Sequence, residues 1–219
     1  MIFYQSIAKA VGYFRSDRPF IKRSSVSEVL VYDPISVPLA LLFARVNFIT
    51  PNIITCVSFL ISIVACYFFF IGGAGLFYGA VIFYIANVLD TVDGKLARMK
   101  SLQSDFGAML DRRSDQIRKA LAMVALLYSS DWPAWWVFLI FVIIHYGFNY
   151  LPCPKVDALD EITLKNGLRS LHEPWDAMFI LVVVGPLYNV VFESIIFVIV
   201  LRVAKVAYHF YRTPRSPLA

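Results

Sequence analysis

Cysteine and histidine are scarce in this chain, and their scarcity removes several kinds of site at once. The cysteines are Cys56, Cys66 and Cys153, and the histidines are His145, His172 and His209. None of them stands at a metal-ligand spacing, which excludes a zinc centre and a disulfide framework. Charge is also thin: 16% of the 219 residues are charged against 59% hydrophobic. The mean hydropathy is +0.69, too apolar for an ordinary soluble protein and typical of a chain that crosses a membrane several times. No cleavable signal-peptide pattern is evident, no polar stretch is long enough to build a second domain, and nothing suggests a nucleic-acid partner.

What the chain does have is long apolar runs. "IITCVSFLISIVACYFFFIGG" (53–73) and "PAWWVFLIFVIIHYGFNYLP" (133–152) each reach across a hydrocarbon core of about 30 Å. The expected fold is an all-α integral membrane protein with six transmembrane helices, near 53–72, 75–98, 105–130, 133–152, 174–189 and 190–210. A shorter helical stretch precedes them at 33–46. Thr50 followed by Pro51 is a sound N-cap and first helical position for the first span. At the start, Phe3, Ile7, Ala10, Val11 and Phe14 fall at helical spacing before Arg15, Arg18, Lys22 and Arg23. That pattern predicts an amphipathic helix lying in an anionic headgroup layer, or a basic anchor that fixes topology. The expected organisation is an interfacial segment at 1–48, a six-span domain at 49–212 and a tail at 213–219.

The loops "GGAG", "SSDW" and "GPLYN" contain no Lys or Arg. By the positive-inside rule they lie outside, so both termini and the turn joining spans two and three are cytoplasmic. That turn is flanked by acids. About 21 Å of helix separates Leu76 from Asp90, less than a full crossing, so the acids sit a little below the cytoplasmic face of the membrane. Asp90, Asp93, Gly94, Ala97 and Arg98 share one helical face, and Gly107, Asp111 and Asp115 line another. Asp105 is an ordinary acid at a helix N-terminus.

Four facing carboxylates repel. At about 6 Å and an effective dielectric near 20, each pair costs roughly 2.8 kcal/mol. Arg98 alone does not offset that, so either several acids are protonated or divalent cations sit between them. Oxygen-only ligands favour a hard ion, Mg²⁺ or Mn²⁺, and a pair of such ions could polarise phosphate oxygens. The alternative is that the acids are helix-end charges paired with Lys95, Arg98 and Arg112.

Asp90-x2-Asp93-Gly94-x2-Ala97-Arg98-x8-Gly107-x3-Asp111-x3-Asp115 resembles the complete motif of the CDP-alcohol phosphotransferase family. The resemblance implies transfer of a phospho-alcohol group from a CDP-alcohol to a second alcohol, with release of CMP. Carried onto these positions, Asp90, Asp93 and Asp111 hold the metals, two ions of Mg²⁺ or Mn²⁺, with Asp115 as a metal ligand, general base or both. Asp90, Gly94, Ala97, Arg98 and Gly107 form the CDP site. A membrane-embedded homodimer is implied as well. The donor is expected to be CDP-diacylglycerol and the acceptor a small polar alcohol. A soluble CDP-alcohol donor and, from another class, a divalent-cation transporter are the alternatives.

The acceptor is less legible. Glycerophosphate users tend toward Asp-Pro-x-x-Asp-Lys and inositol-phosphate users toward Asp-Ser-x-x-Asp-Arg; Asp111-Arg112-Arg113-Ser114-Asp115-Gln116 matches neither. Arg118 projects close to the acid stripe, with Arg112 and Lys119 beside it, and Arg202 and Lys205 could approach from the last span. Arg112, Arg118 and Lys119 form a pocket for a phosphorylated acceptor such as inositol phosphate or glycerol phosphate, or else Arg118 and Lys119 pair with the acids or snorkel to the interface.

Overall fold

The structure is a computed structural model, and it describes residues 27–129 and 174–212. The expected interfacial helix at 1–23, the span at 133–152, most of the loop at 153–176 and the C-terminal tail lie outside those residues. So do the side chains of Arg202 and Lys205. The described residues are helical, with no strand among them. A π-helical turn, Glu28–Tyr32, leads into α1, Asp33–Ala44. The long helices α2 (Pro51–Ile71), α3 (Ala74–Met99) and α4 (Asp105–Ser129) follow. Then α5 (Pro174–Phe179) continues through a π-helical turn, Ile180–Val184, into α6 (Gly185–Leu187), and α7 (Val191–Arg212) closes the described chain.

The ends of α2 form where local chemistry dictates. Thr50 is extended, its Oγ1 accepts the Ile53 N–H at 3.4 Å, and Pro51 fills the first turn, where no backbone donor is needed. Gly72 and Gly73 both take positive φ, 71° and 54°, which reverses the chain into α3 within two residues. The α2–α3 pair is therefore an antiparallel hairpin, and α4 also packs against α2.

Burial in α2 runs opposite to the pattern of a water-soluble helix. Its inward side carries Thr55, Ser58, Ser62 and Ala65, while Ile53, Leu60, Val64, Tyr67 and Ile71 face outward. The Ser58 and Ser62 hydroxyls donate to backbone carbonyls one turn back, so small polar groups pack between helices without an unmet bond. Small inward residues with large apolar ones outside suit a helix solvated by hydrocarbon. Two described helices, α2 and α3, are long and apolar enough to cross a membrane. The expected span at 105–130 is also helical as α4, but Asp111, Arg112, Arg113, Asp115, Arg118 and Lys119 crowd its first half.

Helix α3 is the hub. It touches α1, α2, the π-turn of residues 180–184 and α6. One apolar cluster gathers Phe69, Ala80, Phe83, Leu126, Leu181 and Val198 toward the uncharged end; a second joins Ala40, Ile54, Val92 and Leu96 near the acids. Where α2 and α3 cross, a Cβ on Gly79 would lie 2.5 Å from the Phe69 ring and 3.1 Å from the Ala65 carbonyl oxygen. Gly79→Val is thus expected to destabilise the protein by about 1–3 kcal/mol, the usual cost of overpacking, read as a lower melting temperature in detergent.

The segment before α2 is tied to α3 by polar bonds. Lys95, fully buried, lies 2.8 Å from Asp33 and 3.9 Å from Glu28. Tyr32, 1% exposed, stacks on Tyr84 and accepts a hydrogen bond from the Asn87 amide at 3.3 Å. Burial pushes the Tyr32 phenol above its ordinary pKa, so it stays neutral. At the far end of α3, Lys100 donates to the Val46 and Ile49 carbonyls at 2.6 and 2.8 Å, which fastens the α1–α2 loop beside the start of α2.

Candidate active site

The acids occupy the last turns of α3 and the first turns of α4, joined by a tight connection. Ser101 turns through positive φ, 55°, and the Leu102 N–H bonds the Ala97 carbonyl at 2.9 Å, closing α3. Ser104 then caps α4 by accepting the Gly107 N–H at 3.0 Å. This connection brings one carboxylate oxygen from each of Asp90, Asp93 and Asp111 within 4.8 Å of one another. Asp90 and Asp93 are 6% and 5% exposed.

Each acid has a distinct setting. Asp93 Oδ2 lies 2.5 Å from the Thr55 hydroxyl on α2, which also sits 3.1 Å from the Pro51 carbonyl. Asp90 Oδ2 accepts from Arg118 Nη2 at 2.6 Å, whereas Asp90 Oδ1 is buried with no hydrogen-bond partner. Asp115 stands apart from the trio. Its Oδ1 accepts from Arg118 Nε at 2.8 Å and from Nη2, and its Oδ2 from Lys119 Nζ at 2.6 Å. Arg118 is 1% exposed, Lys119 partly exposed and Arg112 exposed.

A cleft of about 160 Å³ opens beside the trio. Asp93, Gly94, Ala97 and Arg98 line it from α3, Gly107 and Asp111 from α4, and Asn52 and Thr55 from α2. A Cβ on Gly94 would meet only the Arg98 guanidinium, at 3.5 Å, so that glycine leaves the space open. A Cβ on Gly107 would come within 3.0 Å of the Asn52 amide oxygen, so there the absence of a side chain permits close approach.

Most of the residues expected at the site therefore converge. Gly94, Ala97, Arg98 and Gly107 share one cleft, with Asp93 and Asp111 at its wall and Asp90 deeper. Two differences stand out. Arg118 and Lys119 pair with the acids, which is the second of the two roles the sequence allowed. That pairing also supplies the compensating charge which Arg98 alone could not. Asn52 and Thr55 were missed: the stretch Thr50-Pro51-Asn52 reads as a helix start, and no local signal shows that the next helix brings its acid against it.

The donor set fits a divalent ion. Three carboxylates are gathered without histidine or cysteine, and one buried oxygen lacks a partner, which is the chemistry of a hard cation site.

A helical frame that gathers carboxylates beside a small cleft with an arginine has the parts to hold phosphate groups through a divalent ion. The sequence profile of the CDP-alcohol phosphatidyltransferase family matches residues 48–207, and the chain belongs to that family. The chain is similar to the archaetidylinositol phosphate synthase of Pyrococcus horikoshii, 29% identical over 143 residues, 65% of this chain and 72% of that protein. It is also similar to the CDP-diacylglycerol–glycerol-3-phosphate 3-phosphatidyltransferase of Bacillus subtilis, 39% identical over 62 residues. That match spans 28% of this chain and 32% of the relative. Among solved structures, the phosphatidylinositol phosphate synthase of Mycobacterium tuberculosis with CDP-DAG bound matches with a TM-score of 0.54 at 21% identity. The match covers 85% of this chain and 99% of that one. The same synthase in complex with manganese and citrate matches with a TM-score of 0.53. The activity expected from the motif, transfer of a phosphatidyl group from a CDP-alcohol, is that of the family.

Proposed function

We propose that this protein uses a lipid donor, CDP-diacylglycerol or a chemically equivalent CDP-lipid. The acceptor is the hydroxyl of a small phosphorylated alcohol such as inositol phosphate or glycerol phosphate. The observation that carries this reading is the convergence of Asp90, Asp93 and Asp111 beside a cleft lined by Gly94, Arg98 and Gly107. Two named relatives act on acceptors of that kind, which supports the choice of class.

In this reading Asp90, Asp93 and Asp111 hold Mg²⁺ or Mn²⁺, which when bound neutralises diphosphate charge and that of the departing CMP. Gly94, Ala97 and Gly107 leave room for the cytidine diphosphate, and Arg98 pairs with its phosphates. The acceptor oxygen attacks the lipid-side phosphorus, a new P–O bond forms, and the bond to CMP breaks. Asp115, one turn beyond Asp111 on α4, takes the acceptor's proton. Arg112, exposed beside the acids, meets the acceptor's own phosphate.

The surrounding architecture is proposed as six spans with an interfacial helix before them. Both termini and the cleft face the cytoplasm, and the assembly is a homodimer. The outward apolar face of α2 and the absence of Lys and Arg from the three opposite loops support that orientation.

Purified protein given labelled CDP-diacylglycerol, Mg²⁺ and a panel of alcohols is expected to release CMP and form a new lipid with a phosphorylated acceptor. Release of CMP only from soluble CDP-alcohols would remove the lipid donor. No CMP with any donor or acceptor would remove the reading altogether.

A further inference from the structure

The segment before α2 carries two acids, Glu28 and Asp33, that no step of the proposed reaction uses, and both turn toward α3. Resting on the reading of Arg98 as the residue that pairs with the donor's phosphates, we propose that Glu28 is a positioning residue which holds the Arg98 guanidinium at the cleft.

The local backbone puts the two acids together. In an α-helix, residues five apart stand about 140° around the axis and face different ways. Glu28–Tyr32 is instead a π-helical turn, closed by the Asp33 N–H bonding to the Glu28 carbonyl. Bonds to the fifth residue widen the turn and bring Glu28 and Asp33 to nearly the same side. Lys95 reaches both, Asp33 at 2.8 Å and Glu28 at 3.9 Å. Asp33 is the closer partner of that lysine, which leaves Glu28 to serve a second cation.

That cation is Arg98, three residues beyond Lys95 and therefore its neighbour on the surface of α3. Among the charges around Arg98, Glu28 acts on it most strongly, ahead of Asp93 and Asp33. The guanidinium folds back along the helix over Gly94, where an added Cβ would lie 3.5 Å from Nη1 and 3.8 Å from Nη2. It thus lines the cleft while half-buried. An arginine fork has donors enough to bond a carboxylate and a phosphate together.

Glu28 orients this fork without adding net charge, because the two acids are balanced by Lys95 and Arg98. With Glu28 removed, the strongest acid left near Arg98 is Asp93, a member of the carboxylate trio. The guanidinium would then be drawn onto a carboxylate that the cation needs, rather than held for the phosphates.

The test is calorimetric binding of CDP to the full-length protein in detergent with Mg²⁺, alongside melting temperatures. Glu28→Gln is expected to weaken CDP about tenfold, the loss of one charge-assisted bond, with little change in melting temperature. Glu28→Asp keeps the charge and is expected to lose no more than about threefold. In an Arg98→Gln background, itself weakened, Glu28→Gln is expected to add less than about twofold, because nothing is left to orient. A tenfold loss that persists in that background, equal losses for Glu28→Asp and Glu28→Gln, or no loss at all would overturn the inference and leave the CDP site intact. A Glu28→Gln protein that does not fold would make Glu28 a structural bolt and overturn it too. Arg98→Gln that binds CDP like the wild type would remove the role of Arg98 along with the inference. No CDP binding by the wild type would remove the donor reading as well.

Discussion

Asp93→Asn is expected to lower turnover by about 10³-fold or more with little change in the amount of folded protein. The substitution keeps the size of the side chain and its bond to the Thr55 hydroxyl, so the α2–α3 contact survives. What it removes is one negative charge from the oxygen trio at the wall of the cleft. Charge stabilisation by a bound divalent ion is worth several kcal/mol at a phosphoryl-transfer transition state, and about 4 kcal/mol corresponds to the stated factor. CMP release at saturating Mg²⁺, compared with wild type at matched folded protein, checks it. Activity within tenfold of wild type would mean that Asp93 is a structural acid and that the trio is not the reactive centre.

The second large effect concerns stability rather than chemistry. Asp33→Leu removes the nearest counter-charge of Lys95, whose side chain is 1% exposed. Glu28 remains at 3.9 Å and the Thr91 carbonyl at 3.3 Å, too little to replace a 2.8 Å partner. Stripping one member from a buried ion pair costs about 3–5 kcal/mol, and the remaining Glu28 places this case near the lower end. At about 2–4 °C per kcal/mol for a chain of this size, the melting temperature should fall by roughly 6–12 °C. The double variant Asp33→Leu with Lys95→Met should recover most of that loss, because a matched apolar pair leaves no buried charge. Equal melting temperatures for the single variant and wild type would show that the segment before α2 does not brace α3.

Much of this arrangement was legible before any coordinates. The Thr50-Pro51 start, the Gly72-Gly73 reversal and the acid spacings are local signals, written within a few residues of where they act. They place the ends of α2, α3 and α4 within a residue or two of where the sequence puts them. The motif resemblance likewise assigns Asp90, Asp93, Gly94, Ala97, Arg98, Gly107 and Asp111 to one site, and the structure gathers them. The end of the chain was harder to read, since "VVGPLYNVVFES" holds a proline and a glutamate with little loop. There the reversal occurs at Tyr188–Val190, with Asn189 in the left-handed region at φ 56°.

The rest depends on contacts between residues far apart in the chain. Thr55 meets Asp93 across 38 positions, and Lys95 meets Asp33 across the α1–α3 contact. Arg118 shows the limit most clearly. Its place on the helical wheel put it beside the acids, but a wheel does not say whether a guanidinium bonds its own helix's acid, the neighbouring helix's acid or a substrate phosphate. In the structure it bonds the first two.

The central claim is that Asp90, Asp93 and Asp111 hold a divalent cation next to the cleft. The most direct measurement is an anomalous difference map from crystals of the full-length protein soaked in Mn²⁺. The account predicts a peak bounded by Asp90 Oδ1, Asp93 and Asp111. A map with no peak there, or with manganese bound only elsewhere on the molecule, would contradict it.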